Sequence, residues 1–207
     1  MIKLQGVTFF ILNLTIIILL LFGCDSSTTD KNEKQDLAFD VEDTLLELPY
    51  ELTQAVMEIR PPLGFKAVSD SYHQELQSFF LKERGANTNI QFHQFFFDSL
   101  HLAGMVVFSV KELNLSSDTM NFFNNYQKVL EGQYGPDRVK SGEYWVNGIF
   151  VKNYLVTDSN TVRFQLLCLS SNDDAMEVHY IVPHSEYEQV VKLIESSIGS
   201  LKPKNGG

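Results

Sequence analysis

Six side-chain types carry most protein chemistry, and in this 207-residue sequence the reactive ones are few and scattered. The histidines are His73, His93, His101, His179 and His184, the cysteines Cys24 and Cys168. No H-E-x-x-H pattern and no paired-cysteine spacing occurs, so no ready-made metal site can be read from the chain. His93 and His101 lie on neighbouring predicted strands and are the one pair that could face each other across a ladder. His179 stands close to Asp173, Asp174 and Glu177, where a cation or a proton relay could form. A solvated loop and strand edge account for the same residues without a ligand. Cys168 alternates with Val162, Phe164 and Leu166, which places it on the inner face of a strand as a small core hydrophobe and not as a nucleophile. There is no G-x-S-x-G elbow and no glycine-rich phosphate loop. These patterns assign no catalytic residue, no metal ligand and no cofactor.

Cys24 differs in its surroundings. Lys3 is the only charge before it, and the seventeen residues Val7 to Gly23 carry none, with Ile, Leu and Phe dominating. That is the profile of a secretory signal segment, at the short limit of what spans a hydrocarbon core. The run ends Leu21-Phe22-Gly23-Cys24, which resembles the lipobox of bacterial lipoprotein precursors. The resemblance implies cleavage between Gly23 and Cys24 and lipid on the Cys24 sulfur. Two or three acyl chains at one residue are enough for stable anchoring. The segments expected are therefore a signal peptide at 1–23, the lipidated cysteine with a flexible acidic tether at 24–38, and a single globular domain at 39–207. Asp25 to Asp36 contains four acids and no apolar residue, so it contributes nothing to a core.

Beyond Cys24 the 15 basic and 26 acidic residues give a net charge of −11. A nucleic-acid partner needs a basic surface and is excluded on that ground, and attraction to anionic lipid is disfavoured too. With Cys24 lipidated, Cys168 has no partner for an internal disulfide, so the domain must rest on a packed core. Roughly 150 folded residues suffice for one.

The elements that would position any site follow from periodicity. A helix from about Glu51 competes with a strand through Ala55 to Arg60 that Pro61-Pro62 would end. Gln74 to Arg84 reads as a helix closed by Gly85. Ile90 to Asp98 reads as a strand aromatic on both faces, with Phe92 and Phe96 to one side and Phe95 and Phe97 to the other. Leu102 to Val110 follows as a strand, and a helix capped by Ser116 or Ser117 runs to about Gln133. Four strands come next, at Val139 to Val146, Ile149 to Thr157, Thr161 to Leu169 and Met176 to Val182. Asn147-Gly148 supplies the type I′ hairpin turn between the first two. A final amphipathic helix opens with the capping box Ser185-x-x-Glu188 and carries Val190, Ile194 and Ile198 on one face.

The fold class is α+β, an antiparallel sheet packed by helices. This element order, with Pro61-Pro62-x-Gly64-Phe65 near its start and Tyr180-Ile181-Val182-Pro183 through Ile198-x-Ser200-Leu201 at its end, resembles the PsbP-like fold of DcrB-type bacterial lipoproteins over about Ile59 to Leu201. That resemblance implies an α/β/α sandwich acting as an adaptor, chaperone or binding scaffold. The expected partners are the membrane, through lipid on Cys24, and a protein not named by the sequence. The aromatic load at Phe79, Phe80, Phe92, Phe95, Phe96, Phe97, Phe122 and Phe123 adds a groove for an apolar ligand as an expectation to weigh against a phenylalanine-rich core. Two other classes stay open: an immunity or inhibitor lipoprotein that uses its acidity against a basic toxin or hydrolase, and an enzyme built on His93, His101 or His179.

Overall fold

The computed structural model describes residues 39–52, 57–84, 90–110, 115–169 and 175–204. The expected signal segment, Cys24 and the expected tether lie outside them. The main sheet has seven strands in the order β3-β4-β5-β9-β8-β7-β6, with every pairing antiparallel. Its members are β3 (Lys66–Ala67), β4 (Ile90–Asp98), β5 (Ala103–Val110), β6 (Val139–Val146), β7 (Ile149–Thr157), β8 (Thr161–Leu169) and β9 (Ala175–Pro183).

The four-strand meander expected from the sequence is present as β6 to β9. Asn147 and Gly148 both take left-handed φ values, 48° and 82°, as the tight turn between β6 and β7 demands. The sheet extends further because β5 pairs with β9, from Gly104 opposite Ile181 to Val110 opposite Ala175. β9 is thereby a central strand, covered on both sides.

One face of the sheet carries Met105, Val107, Val151, Leu166, Cys168, Val178 and Tyr180 into the larger core. Helix α3 (Tyr187–Gly199) lies on that face and buries Val190, Ile194 and Ile198, one residue per turn. The Tyr180 hydroxyl meets Ser197 Oγ at 2.8 Å, which adds a polar pin to the apolar stripe. A second sheet of three short strands, β1 (Tyr50–Leu52), β2 (Met57–Ile59) and β10 (Lys202–Pro203), flanks the helix with β2 in the middle. The strand alternative for the segment before Pro61 is therefore the one adopted at Met57–Ile59, while Ala55 and Val56 lie outside the described residues. The capping box does not form. His184–Glu186 is a 3-10 turn that delivers the chain into α3, and Ser185 bonds its neighbour Glu186 instead of a helix N–H.

The opposite face is covered by α1 (Asp70–Arg84) and α2 (Leu115–Tyr134). α2 packs Phe123 and Leu130 against Tyr154, Val156 and Leu167, while Leu76 of α1 lies against Phe92, Val106 and Phe108. The Tyr154 hydroxyl donates to the Phe123 carbonyl at 3.0 Å. Helices on both faces of an antiparallel sheet make the α/β/α sandwich of an α+β domain.

β4 departs from the alternation read in its sequence. A bulge between Phe92 and Gln94 sets Phe92 opposite Phe108 but Gln94 opposite Val107. The extra residue shifts the pattern by one, so Phe92 and Phe95 share the α1 face while Phe96 turns to the other core beside Tyr50. The expected pairing of Phe92 with Phe96 on one side is thus corrected.

Candidate functional site

The bulge also decides the fate of the histidine pair. His93 is the bulged residue, and its Nε2 lies 2.7 Å from Ser109 Oγ. His101 is not on β5 at all; it belongs to the β4–β5 turn, where its Nδ1 is 2.6 Å from Asp98 Oδ2. The two imidazoles serve separate partners in separate parts of the hairpin and do not face each other. Cys168 is fully buried, and burial, followed by the nearby Glu177 carboxylate, pushes its thiol well above the ordinary range. It has no thiolate to offer at neutral pH. Among the described residues no group of three or more His, Cys, Asp or Glu side chains is placed to hold a metal ion.

His179 does not sit on a solvated strand edge. It and Glu177 project from central strand β9 toward α2, and both are buried, Glu177 completely. His179 Nε2 is 2.5 Å from Glu177 Oε1. The Tyr126 hydroxyl reaches down from α2 to bond Glu177 and lies 2.9 Å from Gln165 Oε1 on β8. The Phe108 ring stands edge-on to the imidazole with centroids 5.5 Å apart. Carboxylate, imidazole and phenol in a chain could move a proton. Their burial under α2 makes them a clamp between helix and sheet, because a substrate would have to displace the helix to reach them. The sequence puts His179 beside Glu177 but favours a solvated edge, because an acid beside a polar turn reads as solvated, and it does not bring Tyr126 or Gln165 to them. The usable signal was periodicity: Glu177 and His179 occupy alternate positions of a strand whose other face carries Met176, Val178, Tyr180 and Val182.

The phenylalanines are mostly spent on packing. Phe92 meets Phe108 edge-on, Phe96 meets Tyr50, and Phe123 packs beside Phe150. Phe79 and Phe97 are exposed, while the side chain of Phe80 lies outside the described set.

Several exposed apolar residues lie at or near the end of the sheet where β4 turns into β5, while others, such as Tyr72, Phe79, Met120 and Val129, lie on the helices. Leu100 is 80 % exposed and Leu102 66 %, and Leu48 and Leu63 stand exposed on the adjoining segments. The turn that carries the two leucines is held from beneath by Asp98, which is buried. Its carboxylate accepts the Leu100 N–H at 2.9 Å and the His101 imidazole at 2.6 Å. Burial alone would raise the Asp98 pKa, but these bonds outweigh it and hold the carboxyl below its usual range. Leu102 takes φ 51°, the left-handed region that leucine ordinarily avoids. Gly64, itself at φ 91°, brings its backbone close to the Asp98 carboxylate and so joins the Pro61–Gly64 turn to this end. Glu47 adds a third tie by accepting the Gly64 N–H at 2.8 Å and the Lys66 ammonium at 2.6 Å. Two leucines are therefore presented to the surroundings on a turn that is fixed from within.

No protein-family model matches this sequence, and no curated protein matches it. Among solved structures the chain is similar to the solution structure of cyanobacterial PsbP (CyanoP) from Synechocystis sp. PCC 6803, at 12 % identity over 85 % of this chain and 97 % of that one, with a TM-score of 0.46. It is also similar to the Saccharomyces cerevisiae Ran-binding protein Mog1p, at 11 % identity over 76 % of this chain and 95 % of that one, with a TM-score of 0.43. The PsbP-like resemblance expected from element order is met at this weak level, and it assigns no ligand or partner to this chain.

Proposed function

We propose that the protein is a lipid-anchored, non-enzymatic binding protein on the extracytoplasmic side of a membrane. Lipid on Cys24 holds it there, and its α+β domain recognises a protein partner. The observation that supports the reading best is the division of groups between interior and surface. Cys168, Glu177 and His179 are buried, whereas the β4–β5 turn offers Leu100 and Leu102 to the outside in a fixed geometry. A rigid apolar projection is suited to recognition, since little ordering entropy remains to be lost when it is covered.

The anchor is tested by expressing the full chain and Cys24→Ser in a bacterial host supplied with a palmitate analogue. The native chain should take up the label and sediment with membranes after cleavage before Cys24. Cys24→Ser should remain unlabelled. A native chain that is neither labelled nor cleaved would remove the anchor from this account.

A further inference from the structure

The geometry points to a groove, formed by the C-terminal half of α3 and Tyr144 of β6, that reads an extended peptide carrying an aromatic residue, a β-branched residue two places on and an acid directly after it. The chain's own Phe39-Asp40-Val41-Glu42 fills this groove in cis, and the same pattern on a partner protein is the ligand that replaces it. The groove uses neither lipid on Cys24 nor the leucine turn, so it is a second recognition surface beyond the function proposed above.

The chemistry of the ligand follows from how the cis segment is held. Residues 39–42 form no helix or strand and run into the 3-10 turn Asp43–Leu45. The buried Ser196 of α3 reads their main chain on both sides of Val41: its Oγ accepts the Glu42 N–H at 3.3 Å and donates to the Asp40 carbonyl at 3.4 Å. Those two bonds ask for peptide backbone and for no particular side chain. Gly199 lets the segment lie directly on the helix, since a Cβ there would stand 2.6 Å from both Phe39 Cβ and Val41 Cγ2. Glycine is a poor helix residue, and Gly199 is not among the glycines with a left-handed φ, so close approach is what it serves. The Phe39 ring packs on Tyr144 with centroids 5.6 Å apart, and Lys192 Nζ lies 3.5 Å from Glu42 Oε1. Asp40 is exposed and lends only its carbonyl, which leaves its position in the pattern free. The hold is light. Both serine bonds are longer than usual, the ion pair is exposed at both ends, and Phe39 is only partly buried, so the segment belongs to the parts of a fold that open locally. The groove keeps its shape when that happens. Asn147 Nδ2 donates to the Gly199 carbonyl at 3.0 Å and the Leu201 carbonyl at 2.8 Å, Tyr180 meets Ser197 at 2.8 Å, and Val190, Ile194 and Ile198 fix the underside of α3. A preformed groove under a lightly held segment is suited to exchanging that segment for a better one.

The probe is a fluorescein-labelled peptide with the sequence of residues 37–44, titrated by anisotropy against the full chain in detergent. The native chain should bind it weakly, because the tethered segment competes at a high effective concentration. Phe39→Ala weakens that competitor and should tighten binding at least about 10-fold. Adding Gly199→Ala should remove the gain, and since alanine favours the helix, an unchanged circular dichroism melt separates this loss from unfolding. Lys192→Glu, at an exposed position, should weaken binding about threefold, and a peptide with lysine in place of Glu42 should recover it. Equal affinities of the native and Phe39→Ala chains, or undiminished binding with Gly199→Ala, would overturn the proposal. Sedimentation equilibrium showing a native dimer that Phe39→Ala dissolves would make a second copy the occupant and overturn the partner assignment. A chain unlabelled at Cys24 that takes the peptide defeats the anchor alone, and a labelled chain that refuses it defeats the groove alone.

Discussion

Replacing Leu102 by glycine should leave the fold almost as stable as it is now. At φ 51° a non-glycine residue carries about 1–2 kcal/mol of steric cost, which glycine does not. Because the side chain is 66 % exposed, only a third of the roughly 1.5–3 kcal/mol available from burying a leucine is at stake, about 0.5–1 kcal/mol. Glycine also gains freedom in the unfolded chain, worth about 0.5–1 kcal/mol against the folded state. Relief and losses nearly cancel, so the net change should fall within about 1 kcal/mol of zero, whereas truncating a buried leucine such as Leu166 costs about 2–5 kcal/mol. Leu102→Val supplies the contrast, since a β-branched residue keeps the left-handed strain and should be the less stable of the two variants. Urea unfolding followed through the single tryptophan, Trp145, measures all three chains, with the denaturant slope checked for constancy. A loss above about 2 kcal/mol for Leu102→Gly would refute the reasoning, because it would mean that the side chain holds the turn together and is not kept there to be covered by something else.

Gly104→Ala should lower stability by about 1–3 kcal/mol, since its new methyl would stand 2.6 and 2.9 Å from the Phe95 ring; a smaller side chain at Phe95 should recover part of the loss in a thermal melt. Asp98→Asn should remove a pH-dependent contribution: a carboxyl held below its ordinary value near 3.8 stabilises the fold above that value and ceases to as pH falls through the lower, folded-state value. The stability gap between native and variant chains should accordingly be constant near neutrality and shrink in acid below about pH 4, as acid titration by circular dichroism would show. In Cys24→Ser the only thiol is Cys168, and because burial both hides it and raises its pKa, a thiol reagent should label it only as fast as the domain opens; rapid labelling of the folded chain would contradict the core placement.

The strands from Val139 to Pro183 were legible because three signals agree there: alternation on each strand, β-branched and aromatic composition, and an Asn-Gly pair that all but dictates its turn. The hairpin from Ile90 to Val110 was legible in outline and misread in detail. A single bulged residue, His93, moves Phe95 and Phe96 to the faces opposite those that strict alternation assigns, and no local composition announces a bulge. β1, β2 and β10 hold two or three residues each, too few for a period, and β10 meets β2 only because α3 returns the chain to that edge. The leucine turn was hidden for another reason. Leu102 reads as the start of a strand that in the structure begins at Ala103, and the turn before it is bonded by Asp98 to the Leu100 N–H, a local contact that hydropathy does not register.

The buried Glu177 explains why a domain with so few reactive groups still keeps some of them inside. A carboxylate taken out of water costs several kcal/mol unless its lone pairs are satisfied, so an apolar residue at this central position would be the simpler way to fill the space. What an apolar residue cannot do is fix the rotation and height of the helix above it, because greasy surfaces tolerate a helix that slides or turns. Tyr126 can bond Glu177 and approach Gln165 only when α2 sits at one height over β8 and β9, and His179 can meet the same carboxylate only from its own alternate position on β9. The cluster is thereby better suited to positioning than to catalysis: it converts a helix lying on a sheet into a helix set at one register. On the other face Tyr180 and Ser197 do the equivalent for α3. A sheet held in register from both sides gives the β4–β5 turn a firm base, and a fixed pair of leucines is useful only if the strands below them do not move.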